Sequence, residues 1–177
     1  MKQAKVSIGL INPKSPENVS SVMRAAGNFG VDSVFYTGKR YPRAVKLKSC
    51  SVDMSRKVSK DISLSVKTNL IDDAPAQQKI VCIEFAENAV ALPEYEHPHD
   101  ALYVFGPEDS SINQEIIDRA DAVVFVPTSG CMNLAATVNV VLYDRLTKSY
   151  LNVENGLDNN TLICQSRDIN NSLKVSL

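Results

Sequence analysis

Short continuous apolar runs and runs spaced by three and four residues alternate along this chain, and the alternation predicts most of its elements. Lys5 to Ile11 alternates and then turns apolar, which suits a strand. Asn12-Pro13-Lys14-Ser15-Pro16 is a turn cluster. A helix follows from Pro16 to about Phe29, with Val19, Val22, Ala26 and Phe29 on one face. Ser15 is its expected N-cap, Pro16 suits the first helical position, and Glu17 favours the positive helix end. Gly30 closes it. Val34 to Tyr36 is a short buried strand that ends at Gly38.

Residues 39 to 60 show no clear period and predict loop with some helix. Ile62 to Val66 and Ile80 to Phe85 predict strands, with a short helix near Leu70 to Ala76 between them. Pro93 to Asp100 is an acidic loop, and Ala101 to Phe105 is a strand. Gly106 to Ser111 makes a turn, Ile112 to Asp118 a short helix, and Ala122 to Val126 another strand. After the loop Pro127 to Gly130, a long helix runs from Asn133 to about Tyr150, with Tyr143 read as part of its core face. Strands alternating with helices predict an α/β fold with a mostly parallel sheet and helices on both faces. Residues 1 to 150 read as one domain. Residues 151 to 177, rich in Asn, Ser and Asp, read as a poorly ordered tail.

Composition narrows the class. The chain has 177 residues, 44% of them hydrophobic and 22% charged, as ordinary globular proteins have. No apolar run approaches the ~20 residues that span a bilayer. The N-terminal apolar run is too short for a signal-peptide core, so the expected compartment is the cytoplasm. Cys50, Cys82, Cys131 and Cys164 lack metal-ligand spacing and fit reduced thiols. His97 and His99 flank Pro98 and read as loop residues, and no metal site is expected.

Charge changes the picture more. Residues 39 to 60 carry a net +7, and the rest of the chain −8. A basic block on an acidic chain points to a polyanion partner, because Lys and Arg that neutralise phosphates release counterions. Lys39, Arg40, Arg43 and Lys46 are the candidate contacts, and Tyr41 is placed to stack on a base. The alternative is a solvated loop whose charges serve solubility.

No GxGxxG follows the first strand, and GxxxxGK[ST], GxSxG and HExxH are all absent. Three other segments stand out in order. The first runs from Ser15 to Gly30 and includes Asn18-Val19, Arg24-Ala25-Ala26 and Phe29-Gly30. The second is Leu102-Tyr103-Val104-Phe105-Gly106-Pro107-Glu108, leading to Ile112. The third is Val126-Pro127, followed by Met132-Asn133-Leu134-Ala135-Ala136-Thr137-Val138 and closing on Tyr143-Asp144. Together they resemble the three motifs of the SpoU–TrmH family of SPOUT RNA methyltransferases, across roughly residues 5 to 148.

The resemblance implies a C-terminal trefoil knot, a homodimer whose active site draws on both subunits, and S-adenosylmethionine as cofactor. It implies transfer of a methyl group to the 2′-oxygen of a ribose in RNA. The chain resembles the family's minimal, single-domain members, many of which modify tRNA, so tRNA is expected over rRNA. The family's catalytic arginine falls on Arg24. A guanidinium with a pKa above ~12 makes a poor base, so Arg24 is expected to orient the target ribose and its phosphate. Asn133 would brace the knot and reach the reacting centre. Asn18 would cap a turn or bond to the RNA side. The cofactor would lie against Phe105, Gly106, Glu108, Val126, Pro127, Met132 and Leu134, with Gly106 allowing close backbone approach. Ser111 stands where the family usually has Gly, Cys131 where it has Ser, and the loop from Pro127 to Cys131 is shorter than usual. A member that binds RNA or cofactor without catalysis is the alternative, and an α/β enzyme for a small nucleotide is a third reading.

Overall fold

A computed structural model of the chain describes residues 4–48, 62–151, 158–167 and 170–176. It divides into two units, residues 1–146 and 147–177. The first unit holds one seven-stranded sheet of β1 (Val6–Leu10), β2 (Ser33–Tyr36), β3 (Ser63–Val66), β4 (Lys79–Ile83), β5 (Val90–Ala91), β6 (Ala101–Phe105) and β7 (Ala122–Phe125). The strand order is β3-β2-β1-β6-β4-β7-β5, and every pairing is parallel. Parallel neighbours need long crossovers. These carry α1 (Pro16–Asn28), α2 (Arg40–Lys48) and α3 (Gln114–Asp118), and α4 (Leu134–Leu151) follows β7.

Strand β6 is buried over its whole length, as a central parallel strand is. Ala101, Tyr103 and Phe105 share a core with Val19 and Val22 of α1 and Val138 and Leu142 of α4. Leu102 and Val104 point the other way, into a second core with Leu70, Ile112 and the α3 residues Ile116 and Ile117. Helices therefore cover both faces, as the pattern predicts. The start of α1 also matches: the Ser15 hydroxyl accepts the Asn18 N–H at 3.2 Å, and Pro16 opens the helix. Gly30 follows its end at φ 65°.

The structure corrects several expectations. The segment near Leu70 to Ala76 is a turn, because the Asn69 side-chain oxygen takes the N–H groups of Ile71 and Asp72, and Pro75 follows. Helix α3 begins at Gln114, capped by Asn113 through the Ile116 N–H at 3.2 Å. Tyr41 is buried and edge-on to Tyr36 at 5.1 Å, so it offers no face to a base. Tyr143 is 60% exposed and is not a core residue. Residues 40–48 form α2, and the remainder of the basic block, 49 to 60, lies outside the described residues. In the second unit, where the sequence predicts no helix, Asn159–Ser166 form α5, capped by Asp158 on the Thr161 N–H at 3.0 Å.

His97 lies in a loop but is buried. Its Nδ1 meets the Tyr103 hydroxyl at 2.6 Å and its Nε2 meets Asp144 at 2.9 Å. Burial pushes the Tyr103 phenol up to about 12 against the pull of Arg145. The His97 ring bridges the phenol and the carboxylate, one ring nitrogen to each. Arg145 donates to the same phenol oxygen at 3.0 Å and to the Pro98 carbonyl at 2.6 Å. This network pins α4 to the loop before β6. Replacing His97 with Phe removes one partner each from the Tyr103 phenol and the Asp144 carboxylate. It should cost about 1–3 kcal/mol, read from urea midpoints, with cofactor affinity unchanged.

Candidate active site

Parallel strands place all their carboxyl ends at one edge, where α/β folds bind ligands. Here the ends of β6, β4 and β7 stand side by side and open a cavity of about 330 Å³. That volume is within the range of small-molecule sites. Ile83, Glu84 and Phe85 follow from β4, Phe105 to Ser111 from β6, and Phe125, Val126 and Thr128 from β7. Cys131, Met132, Leu134 and Thr137 close it from the start of α4. Of the residues expected to hold the cofactor, all but Pro127 line this cavity; Pro127 is exposed and is not part of its lining.

One hydrogen-bond chain ties the three motifs together. The Asn18 amide donates to Glu108 at 3.2 Å, and its oxygen accepts the Asn133 amide at 3.0 Å. The Asn133 oxygen caps α4, accepting the N–H groups of Ala135 at 2.9 Å and Ala136 at 3.4 Å. Glu108 also accepts the backbone N–H groups of Lys14 at 2.8 Å and Ser15 at 3.0 Å. Asn18 thus spends its side chain on two protein partners.

Burial works to raise the Glu108 carboxyl, but the N–H groups of Ser15 and Lys14 and the Asn18 amide outweigh it and hold the group below the usual glutamate range. A depressed folded value means that the ionised group stabilises the fold above the unfolded range. That contribution is lost as pH falls through the folded value. Glu108→Gln should therefore flatten the loss of stability on acidification below about pH 4.3, as followed by urea midpoints at successive pH values.

Arg24 is exposed on α1 and does not line the cavity of its own chain. It shares a stripe of exposed residues with Glu17, Ser21 and Asn28. Lys39, Arg43 and Lys46 form a second stripe, exposed at spacings of four and three from the residue before α2 into the helix. Arg40 differs from them. It makes a two-pronged ion pair with Asp109 at 2.8 and 2.7 Å, and Lys14 approaches the same carboxylate at 3.7 Å. That pair fastens the start of α2 to the rim of the cavity.

Gly106 keeps the cavity open. A Cβ there would lie 3.2 Å from Ile112 Cγ1 and 3.4 Å from Glu84 Oε2. Apolar walls, a glycine cradle and a few fixed carboxylates suit a small molecule with a flat ring and cationic groups, such as S-adenosylmethionine. Glu84, Phe85 and Phe125 are not apparent as site residues in the sequence. Their place depends on β4 lying between β6 and β7, a long-range pairing with no local signal. Among the described residues, no group of three His, Cys, Asp or Glu is arranged to hold a metal ion. No described helix is long and apolar enough to cross a membrane.

A parallel α/β sheet with a small-molecule cleft at its carboxyl edge and a basic helix beside it defines an α/β ligand-binding protein. More specifically, the chain belongs to the SpoU rRNA methylase family, whose model matches residues 5–143. It is 29% identical over 163 residues to the tRNA (cytidine-2′-O-)-methyltransferase TrmJ of Methanocaldococcus jannaschii, covering 83% of this chain and 70% of that protein. Its fold matches the A. aeolicus TrmH/SpoU tRNA modifying enzyme with a TM-score of 0.69 at 18% identity, over 85% of this chain and 78% of that one. The methyltransferase AviRb from Streptomyces viridochromogenes, solved in complex with AdoMet, matches with a TM-score of 0.66 at 15% identity, over 85% of this chain and 60% of that one.

Proposed function

We propose that this chain transfers the methyl group of S-adenosylmethionine to a ribose 2′-oxygen of RNA, with tRNA as substrate, and that it works as a cytoplasmic homodimer. The observation that carries the reading is the hydrogen-bond chain that joins the three motifs through Asn133, Asn18 and Glu108, the last of which lines the cavity. The tRNA preference draws on the named activities of the Methanocaldococcus and A. aeolicus relatives. The threading of α4 through a loop, as the resemblance implies, is part of the same proposal.

When bound, S-adenosylmethionine supplies a methyl group on a cationic sulfur. The chain's own residues do the rest. The cavity walls would hold the cofactor, and Gly106 would let it lie close to the backbone. Asn133 fixes the start of α4 against Asn18, which holds the α4 side of the cavity in place. Arg24, which does not line its own cavity, would reach the cavity of a partner subunit and orient the ribose and its phosphate there. Its solvent-facing position supports the dimer. A purified chain given labelled cofactor and unmodified tRNA should yield label that blocks alkaline cleavage at one nucleotide. Label on a base, or on rRNA alone, would overturn the reading.

The exposed stripe of Lys39, Arg43 and Lys46 is the proposed RNA track. Reversing all three to Glu should weaken tRNA binding and flatten its salt dependence, by about 0.7–0.9 in slope for each phosphate that the chain no longer neutralises. Cofactor affinity should not change. Filter binding across a salt series measures the first effect and calorimetry the second.

Cys131 and Ser111 both line the cavity, and they favour one second reading: a member that binds cofactor or RNA without turnover. Cofactor binding by calorimetry with no transfer to any RNA would select it.

A further inference from the structure

Glu84 sits at the carboxyl end of β4, between the ends of β6 and β7, and lines the cavity. Both of its oxygens are fixed. Oε1 accepts the Phe85 N–H at 2.9 Å, and Oε2 accepts the Ile112 N–H at 2.9 Å. A carboxylate oxygen has two acceptor sites, so each keeps one after these bonds. Gly106 leaves the space beside Oε2 free, since a Cβ there would stand 3.4 Å from it. The result is a pair of adjacent acceptors, held rigidly by backbone, beside the space that the glycine opens.

We propose that Glu84 receives the 2′- and 3′-hydroxyls of the cofactor's ribose. The inference rests on reading the cavity as the S-adenosylmethionine site, and adds the residue that recognises its sugar. An ionised carboxylate only accepts hydrogen bonds, so the group facing it must donate. A phosphate or carboxylate there would be repelled. The adenine ring matches the apolar rim, where Phe85 and Phe125 pack at 5.9 Å. Within the cofactor, the vicinal diol carries two neutral donors on adjacent atoms, side by side, whereas the adenine amino group holds its two N–H donors on one nitrogen, pointing apart. Acidic recognition of ribose hydroxyls occurs in dinucleotide folds that carry a glycine fingerprint. Here it would arise without that fingerprint, from a strand end.

The test is calorimetry of the wild-type chain, Glu84→Gln and Glu84→Ala with four ligands: S-adenosylhomocysteine, its 2′-deoxy and 3′-deoxy forms, and methylthioadenosine. Wild type should bind S-adenosylhomocysteine about tenfold tighter than either deoxy form, as expected for a hydrogen bond to a charged group. Glu84→Ala should erase that discrimination, and Glu84→Gln should weaken it. Methylthioadenosine keeps the diol and lacks the ammonium, so it should lose affinity in Glu84→Ala by the same factor as S-adenosylhomocysteine. If the substitution left methylthioadenosine untouched, Glu84 would face the ammonium and the diol assignment would fall. Undiminished discrimination in Glu84→Ala would also overturn it, even where overall affinity dropped through loss of the Phe85 and Ile112 bonds. A wild-type chain that bound S-adenosylhomocysteine without discriminating the deoxy forms would remove Glu84's role and leave the cofactor reading intact. A wild-type chain that bound none of the four would overturn the cofactor reading, and this inference with it.

Discussion

Arg24→Ala should cut methyl transfer by about a hundred- to a thousandfold, the usual cost of losing one preorganised charged group at a reacting centre. Stability should change by no more than about 0.5 kcal/mol. Arg24 is exposed, and no ion pair with a described residue involves it, so its removal leaves no buried group unsatisfied. Cofactor affinity should also stay as it was, since Arg24 does not line the cavity of its own chain and its proposed contacts in the partner's cavity are with the RNA ribose and phosphate. Single-turnover kinetics with labelled cofactor, beside a thermal melt, separate these effects. A fall in melting temperature in step with activity would make Arg24 a structural residue. Wild-type turnover would remove it from the mechanism.

Gly106→Val should lower cofactor affinity by more than about tenfold, or ~1.4 kcal/mol. The loss is steric. Even the first added carbon comes to 3.2 Å from Ile112 Cγ1, and the two further methyl groups of Val would occupy the cradle itself. Gly106→Ala should fall between the two. RNA affinity should be spared, because the basic stripe on α2 is untouched. Assayed at a cofactor concentration too low to fill the Gly106→Val site, the two impaired variants also test the dimer. In a mixture, half of the dimers would pair Arg24→Ala with Gly106→Val. One of their two sites would combine an intact cavity with an intact arginine from the other chain. Activity should then recover to about a quarter of wild type for a twofold-symmetric dimer with shared sites. No recovery would mean that each chain completes its own site.

Local signals carried much of the fold. Five apolar residues between an acidic loop and a Gly-Pro turn can only be a buried strand, and β6 has the same limits in sequence and structure. The first helix announced itself through Ser15, Pro16 and Gly30. What escaped was set by side chains whose partners lie nearby but follow no period. The Asn69 oxygen took two N–H groups and turned an expected helix into a turn. The two-residue β5 is too short for any pattern to register. In the site, the motif residues on β6 and α4 could be found, because turn glycines and a helix start mark them. Glu84 could not, since a lone acid after a strand is ordinary until the sheet shows what stands beside it. Arg40 reads as one of several RNA contacts in the sequence, and only the fold pairs it with Asp109.

The strand order has a consequence for synthesis. Strand β1 is made first, yet its partner on one side, β6, begins at Ala101. At about 5–20 residues per second on the ribosome, the β1 edge waits roughly 5–20 s for that partner. Through that interval β1 can pair with β2 alone, and its other edge keeps unpaired backbone groups beside apolar Val6, Ile8 and Leu10. Central assembly therefore comes late and depends on distant contacts, which makes for slow folding and a nascent chain prone to self-association. A truncation that ends before Ala101 lacks the centre of its own sheet, so expressing the amino-terminal half alone should give aggregate, while any chain that includes β6 can begin to close.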